Sequence, residues 1–283
     1  GMFYTLEDLS EIVAYAKARN IEIIPEVDLP GHMVAAVASY PELSCDPSKK
    51  YEVRIDGGIS KDVLNVGDDR VIDFLKCVLG HVATVFPYDY VHIGGDECPT
   101  DQWKTNQMCL DRVKELGLDG VHQLQSWLVE ELGIFLKEEY GKDIIVWDEL
   151  LANWNDNNKT KPVIMAWNGM GFSTQAANRG FKSIIVPYQY LYIDFMQGEE
   201  GDLFVDEPYH GGWGVNTVDE IYGLNPLSAL SGKEEFALGV QCNMWTETCN
   251  DIGELEYCLL PRMLAVSEIG WLPTNKKDWT SFY

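Results

Sequence analysis

The chain has 283 residues, 46% of them hydrophobic and 12% aromatic, enough apolar side chains for a large buried core and far from the composition of disordered chains. Its 21 Lys and Arg stand against 45 Asp and Glu, a formal net charge of −24, which repels phosphate backbones and argues against nucleic acid or anionic membrane as a partner. At roughly 150 residues per domain the length suits two small domains, or one α/β barrel of about 250 residues.

No uninterrupted apolar run reaches the roughly 18 to 20 residues of a membrane helix, and the start Gly1-Met2-Phe3-Tyr4 lacks the charged and apolar stretches of a signal sequence. A soluble chain without a membrane span is expected. The cysteines, Cys45, Cys77, Cys98, Cys109, Cys242, Cys249 and Cys258, are odd in number and show no Cys-x-x-Cys spacing. They read as structural thiols rather than zinc ligands, and they do not reveal a compartment.

The first element is a helix. Thr5 is suited to its N-cap with Asp8 three residues on, Leu9, Ile12, Val13 and Ala16 recur at helical spacing, and Asn20 can end it. The β-branched run 21–28 follows and predicts a buried parallel strand ending in polar residues, although Pro25 removes one ladder donor. Val71, Phe74, Leu75, Val78 and Val82 mark a second helical face. The strand 90–93 then breaks at Gly94-Gly95, directly before Asp96-Glu97.

The rhythm continues with a helical face of Leu124, Trp127, Leu128, Phe135 and Leu136 closed by Gly141, then a strand 144–146 leading into Trp147-Asp148-Glu149. The strand 163–166 precedes Trp167-Asn168, the strand 183–186 precedes the Tyr-rich stretch 188–194, and the strand 238–241 precedes Trp245-Thr246-Glu247. The segments 155–161 and 198–213 read as loops.

Alternating strand and helix predicts parallel βαβ units, and polar and aromatic residues gathered at strand C-termini predict a (β/α)8 TIM-type barrel with its site at that face. A doubly wound sheet is the rival, but no G-x-G-x-x-G follows a strand and at least five strand ends carry Trp, Asp or Glu. Only about six strands are readable where a barrel needs eight. The N-terminal helix belongs to a unit whose strand is not in this chain, so the sequence reads as a single barrel domain over 1–283 that begins inside the fold.

Asp96 and Glu97 are the sharpest chemical feature, two acids held just past a glycine turn where backbone and ligand can come close. Taken as an isolated pair they also suit a helix N-cap and a solvated neighbour. Trp103, Trp147, Trp167, Trp245 and Tyr192 lie at or just beyond strand ends with Asp148, Glu149, Asp194 and Glu247 close by. Aromatic faces suit the C–H faces of sugar rings, so the combination points to a neutral hydroxyl-rich ligand and acid-catalysed glycoside hydrolysis. His32 and His92 sit in no His-Glu-x-x-His spacing, so neither a metal nor any cofactor is expected. A serine hydrolase would need a G-x-S-x-G elbow, which is absent from the sequence.

Five motifs now stand in order: Pro25-Glu26-Val27-Asp28-Leu29-Pro30-Gly31-His32, His92-Ile93-Gly94-Gly95-Asp96-Glu97, Trp147-Asp148-Glu149, Tyr192-Ile193-Asp194 and Trp245-Thr246-Glu247. Together they resemble the catalytic barrel of the β-N-acetylhexosaminidases of glycoside hydrolase family 20, over nearly the whole chain. The resemblance implies an exo-acting enzyme that removes terminal N-acetylglucosamine or N-acetylgalactosamine from an oligosaccharide or glycoconjugate. In its retaining mechanism the substrate's own acetamido carbonyl is the nucleophile.

Carried over residue by residue, Glu97 is the general acid, and Asp96 orients the acetamido N–H and stabilises the oxazolinium-like intermediate. Tyr192 hydrogen-bonds the acetamido oxygen, and Trp147, Trp167 and Trp245 enclose the N-acetyl group and ring. Asp194 and Glu247 accept sugar hydroxyls, His32 supports Glu97, and Asp28 joins that network. Family members act in the periplasm, outside the cell or in lysosomes.

Two departures qualify this. The family barrel begins with two further strands that supply a sugar-binding Arg and another acid, and its last helix would be starting near Tyr283, where this chain stops. Part of a longer barrel is expected here, with an open sheet edge or one completed by another copy. Two readings stay open beside the main one: a retaining glycosidase using Glu97 with Glu149 or Glu247 as nucleophile, and a catalytically silent carbohydrate-binding barrel.

Overall fold

The computed structural model describes residues 3–198 and 213–283, so most of the loop expected at 198–213 lies outside the described residues. The chain divides into two compact units, Gly1–Val163 and Ile164–Tyr283.

The first unit opens with α1 (Leu6–Lys17), started by the expected Thr5–Asp8 capping box. Asp8 N–H donates to Thr5 Oγ1 at 3.2 Å and Thr5 N–H donates to Asp8 Oδ2 at 2.8 Å, so two of the end's unpaired donors are met locally. Of the apolar face read from the sequence only Ala16 is buried, and Ile12 remains 38% exposed.

The strand expected at 21–28 is an extended segment rather than a regular strand. It runs parallel to β1 (Tyr90–His92) through one bridge, Glu26 to His92. His92 N–H donates to Pro25 O and Val27 N–H donates to His92 O, both at 2.9 Å. Pro25 has no N–H to extend the ladder.

Behind it come α2 (Val34–Ser39), α3 (Asp69–Val85), α4 (Gln107–Leu116) and α5 (Leu124–Tyr140). α3 buries Val71, Ile72, Leu75 and Leu79, while Phe74 and Val78 from the expected stripe are half-buried. α5 buries Leu128, Leu132 and Leu136 and stops at Gly141, whose φ of 70° is the left-handed turn a glycine supplies. β1 pairs in parallel with β2 (Asp143–Trp147), Val91 lying opposite Ile144.

The second unit holds β3 (Val163–Ala166), β4 (Ser183–Ile185) and β5 (Ala237–Val240). β3 pairs with β4 and β4 with β5, both in parallel, with a register shift between Ser183 and Ile184. α6 (Met170–Asn178) connects the first two strands, and α7 (Tyr188–Leu191) with α8 (Val218–Gly223) precedes the third. α9 (Ile252–Leu259) and α10 (Arg262–Trp271) follow β5. Every strand pairing within each unit is parallel and helices separate consecutive strands, the alternation expected from the sequence. No helix among the described residues is long and apolar enough to cross a membrane.

Candidate active site

The acids of the first unit are placed by the end of β1. Beyond His92 the chain turns through Gly94 (φ 68°) and Gly95 (φ 101°) into Asp96 and Glu97. A Cβ at Gly94 would fall 1.7 Å from Asp28 Oδ1, so the missing side chain makes room for that carboxylate. Asp28 in turn accepts from Gly95 N–H at 3.0 Å, and Gln125 Nε2 donates to Gly95 O at 2.8 Å. The turn is pinned from both sides.

Glu97 and His32 are non-glycine residues with positive φ, 44° and 51°. Backbone strain of this kind is held only where surrounding contacts enforce it. His32 Nε2 lies 3.3 Å from Glu97 Oε2 and 3.5 Å from Asp96 Oδ2. Asp96 Oδ1 is buried and receives no hydrogen bond from any described residue. A buried carboxylate oxygen without a donor is costly, and here it is an acceptor available to an incoming N–H.

Glu26 enters this group unannounced by the sequence reading. Trp147 Nε1 donates to Glu26 Oε1 at 3.0 Å, and the same oxygen lies 3.4 Å from His92 Nδ1. His92 Nδ1 accepts from Gly94 N–H at 3.0 Å, and the His92 and Trp147 rings sit 4.8 Å apart. Glu26 thereby fixes the indole plane of Trp147. The signal was present, because residues two apart on an extended segment share a face, and Asp28 was already in view.

Burial dominates the proton affinities here. It pushes Glu26 up to about 7, with the Asp96 charge adding and the Trp147 N–H opposing. Burial and then Asp96 push Asp28 up to about 8. His32 is raised to about 9 by its hydrogen bond to Asp96, against desolvation and with help from the Asp28 and Glu97 charges. Burial drives His92 the other way, to about 3.

A folded group whose pKa is raised contributes stability below its unfolded value and loses it as pH climbs through the folded one. Glu26, Asp28 and His32 all have that sign, with folded values near 7, 8 and 9. His92 opposes them only below its ordinary 6.5. The melting temperature is therefore expected to fall between pH 6.5 and 9, and to fall less in Asp28→Asn. A midpoint flat or rising across that window would contradict this account.

In the second unit the strand ends place aromatics. Trp167 follows β3, Tyr192 and Asp194 follow α7, and Trp245 and Glu247 follow β5. Trp167 and Tyr192 stack with centroids 6.0 Å apart and planes at 20°, and Trp245 lies 6.4 Å from Tyr192 at 59°. The Tyr192 segment is tied beside the β5 extension, Ile193 N–H donating to Asn243 O and Asn243 N–H to Leu191 O at 2.8 Å each. Asp194 Oδ1 is buried without a hydrogen-bond donor among the described residues. Burial, then the Glu247 charge, raises Asp194 to about 6, while Arg262 pulls it down.

Arg262 is the second residue the sequence reading missed. Its guanidinium is fully buried and donates to the carbonyls of Ile193 (2.6 Å), Phe195 (2.7 Å), Cys258 (2.8 Å) and Asn216 (3.1 Å). Asn216 Nδ2 donates to Tyr188 O and Tyr192 O at 3.0 and 2.9 Å. These two side chains set the loop that carries Tyr192 and Asp194.

Within the first unit the structure brings together Asp28, His32, Asp96 and Glu97, with Trp147 joined through Glu26; the second unit brings together Trp167, Tyr192, Asp194, Trp245 and Glu247. Trp103, grouped in the sequence with the strand-end aromatics, belongs to the core. It is wholly buried, its indole N–H donating to Leu64 O at 2.9 Å.

The profile of the glycosyl hydrolase family 20 catalytic domain matches residues 1–274. A beta-hexosaminidase of Porphyromonas gingivalis is 38% identical over 283 residues, covering 99% of this chain and 35% of the relative. One from Vibrio furnissii is 32% identical over 273 residues, 95% of this chain and 44% of the relative. A family 20 exo-β-N-acetylglucosaminidase from Vibrio harveyi, solved with N-acetylglucosamine, superposes with a TM-score of 0.87 at 29% identity, covering all of this chain and 44% of that one. The chain belongs to glycosyl hydrolase family 20, as part of its catalytic (β/α) barrel. It spans less than half the length of each of these relatives.

Proposed function

We propose that the chain carries the reaction centre of an exo-β-N-acetylhexosaminidase that releases terminal N-acetylglucosamine or N-acetylgalactosamine with retention, without a protein nucleophile. The observation that carries this reading is the pairing of Glu97, in contact with His32, with Asp96, whose buried Oδ1 has no donor among the described residues. The curated relatives named beta-hexosaminidase support it.

In the proposed cycle Glu97 gives its proton to the glycosidic oxygen as the C1–O bond breaks. The acetamido carbonyl oxygen of the same sugar attacks C1 from the opposite face, forming an oxazolinium ring. Asp96 accepts the acetamido N–H and offsets the positive charge that develops on it, and Tyr192 donates to the acetamido oxygen to align it. Glu97, now ionised, takes a proton from water as that water opens the ring at C1. His32 and Asp28 hold the two acids in place. Trp147, Trp167 and Trp245 enclose the N-acetyl group and ring, and Asp194 and Glu247 accept sugar hydroxyls.

The test is release of nitrophenol from the 4-nitrophenyl β-glycosides of N-acetylglucosamine and glucose, with Asp96→Asn alongside. Cleavage of the acetamido sugar alone, lowered at least about 10²-fold in the variant, is the expected result. Equal cleavage of both sugars would overturn substrate assistance in favour of an enzyme carboxylate nucleophile. Binding of N-acetylglucosamine without turnover would favour a silent carbohydrate-binding barrel.

Self-association belongs to the same reading. Leu238 on β5 is 47% exposed, and Met263 and Leu264 on α10 are also exposed, an apolar edge that a second copy would cover. Light scattering that reports a monomer at all concentrations would remove this part of the proposal.

A further inference from the structure

Asp28, His32 and Asp96 each offer one ligand atom, and these atoms lie within 4.8 Å of one another. In a tetrahedral zinc site with metal–ligand bonds near 2.0 Å, neighbouring donor atoms stand about 3.3 Å apart. His32 Nε2 is 3.5 Å from Asp96 Oδ2 and 3.3 Å from Glu97 Oε2, so the imidazole already stands at that spacing from two carboxylates. Asp28 accepts from the Gly95 N–H and shares a side-chain hydrogen bond with Asp96, an interaction that a cation held between the two carboxylates would replace. Asp96 Oδ1, buried and undonated among the described residues, can take up a cation's charge.

The charge balance points the same way. Asp28, Asp96 and Glu97 gather around His32, whose imidazole and the Asp28 carboxyl hold protons that a bound cation would displace, and among the described residues no Lys or Arg forms an ion pair with any of the three carboxylates. His32 remains about a third exposed, which keeps a path from solvent. The donor set of one nitrogen and two or three carboxylate oxygens suits zinc or cobalt, and it lacks the all-oxygen shell that magnesium and calcium prefer.

We propose that Asp28, His32 and Asp96 form a reversible binding site for a divalent transition cation of the zinc type, and that the bound ion silences the acid centre by occupying the side chains that hold Glu97 and the acetamido group. The consequence for rate rests on the proposed glycosidase function, whereas the binding itself does not.

The experiment is calorimetric titration of the chain with zinc chloride, with magnesium chloride as control, repeated in His32→Asn and Asp28→Asn. Asn tolerates the left-handed backbone at position 32, and circular dichroism checks that each variant folds. One equivalent of zinc is expected to bind, with no binding of magnesium. Loss of an outer-shell partner alone costs about 10- to 100-fold in metal affinity, so loss of the His32 ligand is expected to cost at least that. Cobalt is expected to give ligand-field bands without the thiolate charge-transfer absorption of a cysteine site.

Absence of zinc binding, an affinity unchanged in His32→Asn, or thiolate absorption with cobalt would each overturn the site. The second arm measures nitrophenol release with zinc and then with a chelator. Zinc binding at His32 with no effect on an active chain would overturn the silencing while leaving the site. A chain without turnover would count against the glycosidase function, and the zinc titration would still decide the site.

Discussion

Glu97→Gln is expected to lower kcat on a β-linked N-acetylglucosamine disaccharide by about 10²- to 10⁴-fold, the usual size of a general-acid contribution. The loss on the nitrophenyl glycoside is expected to be smaller, because nitrophenolate leaves readily without a proton whereas a sugar alkoxide does not. Gln keeps the shape and the contact toward His32, so the melting temperature and KM are expected to stay near those of the parent. The split between the two leaving groups separates proton donation from a structural role. Equal losses on both substrates, or a loss carried by KM, would mean that Glu97 is not the leaving-group acid.

Arg262→Leu is expected to lower unfolding free energy by about 3–5 kcal/mol, measured as the urea midpoint at an unchanged slope. A buried guanidinium donates to carbonyls of several segments, including those of Ile193, Phe195, Cys258 and Asn216. Leucine leaves these acceptors dry and unpaired, at roughly 1–3 kcal/mol for each that water cannot reach. Arg262→Lys is expected to recover only part of the loss, since an ammonium cannot reproduce the planar fork that spans carbonyls on separate segments. An Arg262→Leu chain that unfolds at the parent's urea concentration would show that other contacts hold the loop of Asp194.

Local signals were legible in the sequence wherever one residue decides an outcome within a few positions. Thr5 with Asp8 opened α1, Gly141 closed α5, and Gly94-Gly95 marked the turn into the acids. The order of strands and helices followed for the same reason. What the sequence hid depends on distant partners. The periodicity of 71–82 found the helix and rotated its buried face, because which ridge is covered depends on α5 and not on α3 alone.

The same logic separates the site residues from their supports. The candidate residues Asp96, Glu97 and Trp147 lie at or just past strand ends and Tyr192 just past α7, positions that local patterning can find. Arg262 opens α10, and its carbonyl partners include Ile193 and Asn216, far away in the chain. For Trp103, position past a strand does not reveal what lies against it, and Leu64 O supplies the partner. Glu26 was passed over as a strand residue because its partner Trp147 comes from β2.

The close approach at Gly94 has a consequence for how this protein can change over time. Every replacement of a glycine adds a β-carbon, and at this position that atom would land on Asp28 Oδ1 at 1.7 Å while the backbone sits at a φ of 68°. Substitution at Gly94 is therefore closed whatever side chain occupies position 28. Shrinking the side chain at position 28 does not open it, because the same β-carbon would also stand 2.6 Å from the Asp28 Cα. Gly94 is thus held by the path of the backbone at position 28 as well as by the carboxylate there.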